Sequence, residues 1–595
     1  SWPPETITNT TYTLRAVAFH AYGQQGRPVR AVKFWATDNS GHSVTQIVTR
    51  MTIDNSIGGA VPVSEYIATM DASTLTQGDR ITNQFTAYPW VGDSTSVLST
   101  DDGRWTQPTP KHAPIEILND KAGTYGKVYG LVDVVNGSDG TGIPSATFDS
   151  GSPPPAFQSM AQALTRMSRT NAILNNRSNL DNCVLYLKAG NYIVLGNTTN
   201  LSYGTNAGNK GWLTFIPFPG DSVSLSNITT GRNQVKTYRL KVKDLDILAG
   251  GGTGLFDGET NLWVDNCKID LGTGNTPLTY NGNGFYVTHC WVTNMSTQGM
   301  APFSTKPCSP VLVRGNWISN NIGNYECFTV IGNVQYKVVN GNLFVVDKLA
   351  GRTTPTTDGA IIYANIAYNC NLSVGTIMEA YLDGFTNGLA VVQNLFECST
   401  NGSRQTFVLS GETCTNNVMN NVILWNNTLR GGRWDLAFNN TYTNYWERKF
   451  WSVKNNAGDY WTHKGDTHTT ASSNRLGGWT YTYGVGVAGN IDARTGGTQL
   501  AGTSFTNEFF GVHSYQPLYT NNASDSIIKN VQNNAWNGVT LGTGYGNYRV
   551  SGQSYISGPT IKTVNVLPFD LEGNARGLSD PPGAYSSGNL KKGWF

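Results

Sequence analysis

Seven short stretches of the chain can be laid over one another with the same kind of residue in one slot. They are VDNCKI, VTHCWV, VRGNWI, VNGNLF, YANIAY, VVQNLF and NNVIL, with the slot at Cys267, Cys290, Asn316, Asn342, Asn365, Asn394 and Asn421. The slots are separated by 290−267=23, 316−290=26, 342−316=26, 365−342=23, 394−365=29 and 421−394=27 residues. An eighth copy, VKDLDI, places Leu245 in the slot 22 residues upstream of Cys267. A period of roughly 20–30 residues built from short alternating strands is that of a stacked coil, each repeat burying its face against the next. A slot side chain pointing into such a stack meets its counterpart about 4.8 Å above and below. Asn amides can then bond along the ladder and satisfy one another and the turn backbone.

Composition agrees with a solenoid. Only 13% of the 595 residues are charged and 67 are Gly, which suits a fold of many tight turns with a polar but weakly ionic surface. Net charge is +2 without a dense Lys/Arg run, which argues against a nucleic-acid partner, and no apolar stretch of about 18 residues is present to span a membrane. The chain opens at SWPPETITNTTY without an initiator Met or a signal sequence, implying a removed leader or a start inside a longer gene product. Of eight Cys, Cys267 and Cys290 fill consecutive slots, and Cys370, Cys398 and Cys414 lie inside the same repeats. Their spacing does not match a zinc site, and most read as buried free thiols, with one or two disulfides as the alternative.

Residues 1–105 have a different pattern. LRAVAFHAY, AVKFWATD, HSVTQIVTR, EYIATMD and NQFTAYPW alternate as two-faced strands, and the run resembles an immunoglobulin-like or fibronectin-like sandwich. The Pro-rich segment 106–114 reads as a linker, and the coil domain is expected over 115–595. Phe157, Met160, Ala161, Leu164 and Met167 form one helical stripe after three prolines, so a helix is expected near 156–168. A solenoid end exposes its core and needs such a cap.

NLWVDNCKI (Asn261–Ile269) resembles a pectate lyase strand, asparagine–aliphatic–tryptophan–aliphatic–aspartate. The resemblance is to right-handed parallel β-helix proteins, the architecture of pectate lyases, polygalacturonases and many phage tailspikes. Asn266 stands where pectate lyases usually carry histidine, so their catalytic residues are not carried over. FDLEGNARGLSDPPGAY (Phe569–Tyr585) resembles the closing segment of many bacterial and viral β-helix proteins, and the helix near 156–168 looks like their cap. The fold class expected is therefore all-β: a right-handed parallel β-helix with a capping helix, preceded by an immunoglobulin-like sandwich.

Equivalent positions on successive coils form a row along which an extended polymer can lie. Glu326, Arg352 and Arg404 each fall 10 residues after a slot and Glu379 falls 14 after one. Asp358, Asp383 and Glu412 form a later set, with Lys348 on a turn nearby. Paired carboxylates suit acid–base hydrolysis of a glycosidic bond, whereas Arg beside a uronate suits β-elimination. Six of the 16 Trp lie within 55 residues (425–479). In that insertion, near 425–480, Trp425, Trp434, Tyr445, Trp446, Trp451 and Trp461 are candidate walls of a sugar-binding groove, beside Arg430, Arg433, Arg448 and Lys449. The bland alternative for charges and rings alike is surface pairing and loop packing. His463 and His468 are too local to form a metal site, and calcium on coil Asp residues stays open although no calcium-loop motif is present.

The leading expectation is an extracellular or cell-surface protein, monomeric or homotrimeric, that binds and cleaves an extended polysaccharide as a glycoside hydrolase or polysaccharide lyase, without a cofactor. The alternatives are a virion tailspike that recognises a host glycan and a non-catalytic adhesive protein.

Overall fold

The computed structural model describes residues 5–89 apart from 21, 22, 24 and 25, and residues 115–193 apart from 178. Beyond these it describes the strands and turns of the coil between 210 and 492, residues 567–576, and Ala584. The described residues are all-β apart from one α-helix and a short 3-10 turn. Two long sheets of thirteen and twelve strands carry the coil, and a five-stranded sheet forms on its third side. Pairing in all three is parallel, consistent with a parallel β-helix.

One coil shows how the chain turns. Ala360–Tyr363 lies in the long sheet, Ile366–Cys370 in the second and Met378–Tyr381 in the third, and Leu389–Val392 then returns to the long sheet one level on. Alternation along each strand sets its faces. Val264, Val287, Val313, Val330, Ile362, Val391 and Leu424 pair in register and are buried, forming an inner column of the long sheet.

The long and second sheets are joined by a turn of two residues. Its first residue has a left-handed backbone: Asp244, Asn266, His289, Gly315, Gly332, Ala364, Gln393 and Asn426. Its second residue is the slot, which runs Leu245, Cys267, Cys290, Asn316, Asn333, Asn365, Asn394 and Asn427, all buried. Two expected slots are thereby corrected. Asn333 and Asn427 hold the positions assigned to Asn342 and Asn421, which lie outside the described residues. Each Asn amide donates to the next Oδ1, at 2.9 Å from Asn316 to Asn333 and 2.9 Å from Asn333 to Asn365. The ladder continues to Asn394 at 3.1 Å and to Asn427 at 2.9 Å. Cys183, Cys267 and Cys290 are free and buried, and burial pushes the thiols of Cys183 and Cys290 up.

The helix spans Met160–Asn175, starting later and running further than its apolar stripe suggested. Ser159 caps its start by accepting from Gln162 N at 3.3 Å, and Asp139 in turn accepts from the Ser159 hydroxyl at 2.7 Å. Ala163, Leu164 and Met167 are buried where the helix packs on Val128–Val132 and Cys183–Leu187, the first strands of the long sheet.

The amino-terminal strands form a five-stranded sheet and a three-stranded sheet. Ile115–Asn119, expected to open the coil domain, is instead a strand of the first, paired with Arg80–Tyr88 and Thr6–Ile7. The linker at 106–114 lies outside the described residues. These sheets share one core with the outward face of the long sheet: Tyr66, Met70 and Phe19 cluster with Trp263, Tyr286, Leu312, Ile331, Tyr363 and Val392. Buried Arg314 makes a two-pronged contact with Glu65 at 2.6 and 2.9 Å, and the Tyr363 hydroxyl donates to the Ser64 carbonyl at 3.1 Å. Gly332 has a left-handed backbone (φ +63°), and a Cβ there would lie 2.7 Å from Val63 Cγ2. The close approach of the two regions therefore requires glycine.

The closing segment seats on the flank of the coil. Gln393 Nε2 donates to the Phe569 carbonyl at 3.0 Å, and Ala584 N donates to Thr428 Oγ1 at 2.9 Å. Asp570 organises the turn by accepting from Glu572 N at 3.0 Å and Asn574 N at 2.7 Å.

Candidate functional site

Two sides of the later coils are occupied. The outward face of the long sheet lies under the amino-terminal sheets, and Val334, Ile366, Leu395 and Thr428, successive outward positions of the second sheet, are buried. That leaves the third side. Its sheet consists of Phe344–Val346, Met378–Tyr381, Gln405–Ser410, Arg433–Asp435 and Trp461–Thr462, in that order.

Register sorts this sheet into two columns. Phe344, Met378, Phe407, Trp434 and Trp461 pair in one. Val345, Glu379, Val408, Asp435 and Thr462 pair in the next, which alternation places on the opposite face. Glu379 and Asp435 therefore share a column with one strand between them, a backbone separation of about 9.6 Å. Arg433, two residues before Asp435 on the same strand, pairs with Gln405 across an irregularity in the register.

Of the residues chosen from sequence, Glu379 alone among the carboxylates falls on a described strand. Glu326, Arg352, Arg404, Asp358, Asp383, Glu412 and Lys348 lie outside the described residues, as do Tyr445, Trp446 and Trp451. Counting from the slots grouped Glu379 with Arg404, whereas the register partner of Glu379 is Val408. Trp434 and Trp461 pair in the other column, with Phe344, Met378 and Phe407. Trp425 is also corrected. It has no exposed surface, and it meets Phe19 edge-on at 6.3 Å in the core shared with the amino-terminal sheets, where a substrate has no access. Asp435 escaped the sequence reading because it sits on a three-residue strand between two insertions, with no periodic neighbours to mark it.

Among the described residues, no group of three or more His, Cys, Asp or Glu could hold a metal ion. No described helix is long and apolar enough to cross a membrane. Among the described carboxyls of the coil, the one held lowest lies away from the third side. Burial alone would raise Asp265, but a hydrogen bond from His289, the Lys241 ammonium and the Thr288 hydroxyl hold it down at about 2.

The architecture is thus an all-β chain with long parallel sheets, its third side bearing a column with two carboxylates. No protein-family model matches the chain, and no curated protein does. Among solved structures it is similar to the catalytic domain of a GH87 alpha-1,3-glucanase variant in complex with tetrasaccharides. That match has 12% identity and a TM-score of 0.29, covering 81% of this chain and 90% of that one. A second GH87 alpha-1,3-glucanase catalytic domain, in complex with nigerose, matches at 12% identity over the same shares with a TM-score of 0.22. Superpositions of that quality fix neither a residue correspondence nor a reaction.

Proposed function

We propose that this chain is a right-handed parallel β-helix protein that binds an extended polysaccharide along its third side and hydrolyses it. The observation that carries this reading is the shared column of Glu379 and Asp435. Carboxyls about 6.5–9.5 Å apart leave room for a water in an inverting hydrolysis, and two strand spacings bring this pair near that window. One carboxyl protonates the glycosidic oxygen as the bond to the anomeric carbon breaks. The other takes a proton from the water that attacks that carbon. Glu326, Asp358, Asp383 and Glu412 remain proposed companions on neighbouring coils. The amino-terminal sheets are read as an immunoglobulin-like unit, and the protein as extracellular.

Arg433 favours a second reading. A cation two residues from Asp435 on the same strand suits a uronate carboxylate, whose neutralisation assists removal of the C5 proton in a lyase. Glu379→Gln and Asp435→Asn, assayed for new reducing ends and for absorbance near 235 nm on neutral and uronate polysaccharides, separate the two. Loss of reducing-end release in both variants, without any absorbance change in the parent, supports hydrolysis. Absorbance that Arg433→Ala abolishes supports the lyase, and unchanged cleavage in all three variants overturns the site.

A further inference from the structure

The second sheet carries an aromatic pair that the proposed reaction does not use. Trp291 and Trp317 are register partners on adjacent coils, with ring centroids 5.8 Å apart and planes within 17°. Trp291 is 43% exposed, in contrast to its buried successors in the column, Val334 and Ile366. The pair is held firmly from behind. Val292 and Ile318 are buried in the inner column, and the Trp291 and Trp317 amides each donate to the carbonyl of a slot residue, Cys267 and Cys290, at 2.9 Å. Trp317 is half-buried against the core shared with the amino-terminal sheets, so Trp291 is the exposed ring of the pair, held on a rigid strand as a preorganised surface.

We infer that Trp291, held beside the half-buried Trp317 ring, forms an accessory subsite that stacks a pyranose ring of the same polysaccharide, away from the reacting bond. The inference rests on the proposed function for the identity of the polymer. A sugar ring has an apolar face for stacking and polar rims, and the pair is bordered by Lys268, Asp270 and Thr293, which can meet those rims. The local charge disfavours a nucleic acid, since among the described residues Asp246 and Asp270 flank Lys268, where a phosphate backbone needs a basic track. Trp317 precedes the coil of Glu379 by two levels and Trp291 by three, so the offset along the coil axis is about 10–15 Å. The pair sits on the second sheet and Glu379 on the third, so one chain would have to pass round the edge between them.

The test is affinity electrophoresis of the full chain through gels containing a neutral α-glucan, a neutral β-glucan or a polyuronate, for the parent, Trp291→Ala, Trp291→Tyr and Glu379→Gln. For the polymer that retards the parent, Trp291→Ala should weaken retention about tenfold, Trp291→Tyr should restore most of it, and Glu379→Gln should be retained like the parent. Unchanged retention of Trp291→Ala overturns the subsite alone. Retention lost in Trp291→Ala while Glu379→Gln still cleaves upholds the subsite and overturns the proposed catalytic pair. If no polymer retards the parent, or if sedimentation shows Trp291→Ala only breaking up an oligomer, the pair is not a glycan site.

Discussion

Asn365 shows how much one side chain carries in this coil. Its Oδ1 accepts from the backbone and side chain of Asn333 at 3.1 and 2.9 Å, and its amide donates to Val330 O at 2.9 Å and to Asn394 at 3.1 Å. Asn365→Leu leaves these groups buried without partners and should lower stability by about 3 kcal/mol, read as a fall in the denaturant midpoint at constant slope. Gln335 is the opposite case. It occupies the inner column between Ile318 and Ala367, and neither atom of its amide has a partner. Gln335→Leu should raise stability by about 1–2 kcal/mol in the same measurement, since an apolar group of similar size removes an uncompensated desolvation penalty. The ladder was legible because the turn that carries it has constant length and chemistry. The steps 333−316=17, 365−333=32 and 427−394=33 are uneven, and counting at a steady period lands on the other asparagines Asn342 and Asn421.

At the scale of elements, the cap helix is where sequence and structure agree in kind and differ in extent. The stripe ending at Met167 was visible, but the following turns expose Ile173 and Leu174, so no apolar period marked the true end at Asn175. Its start depends on Ser159, whose hydroxyl bridges Gln162 N and the Asp139 carboxylate. Ser159→Ala should cost about 1 kcal/mol by losing the cap, and hydrogen exchange should quicken first at the helix amides next to it. The third sheet was far less legible. Strands of three residues such as Arg433–Asp435 and Phe344–Val346 are too short to show a period of two against the insertions around them. Glu379 was found, while its column partner Asp435 was not.

For the molecule as a whole, the seat of the amino-terminal sheets is the feature least visible in sequence, although a trace was present. YANIAY and VVQNLF are apolar on both faces of their strands, the pattern of a sheet buried on both sides rather than one. That interface also sets a response to acid. Asp265 lies there with Lys241 at 3.3 Å and the Thr288 hydroxyl at 2.8 Å, and its carboxyl is held at about 2. Because the folded value is depressed, the stabilisation is full above the unfolded value of about 3.9 and fades as pH falls toward 2. Asp265→Asn should remove that part of the acid dependence, about 2 kcal/mol, so its unfolding midpoint should fall less than the parent's between pH 4 and pH 2. The same seat has a consequence for how the chain is made. Ser64 meets Tyr363 across 299 positions of sequence, so the first strands leave the ribosome long before the surface they must cover exists. At about 5–20 residues per second the wait is roughly 15–60 s, during which Phe19, Tyr66 and Met70 lack their coil partners. Until Trp425 emerges, that face of the opening strands stays uncovered during synthesis.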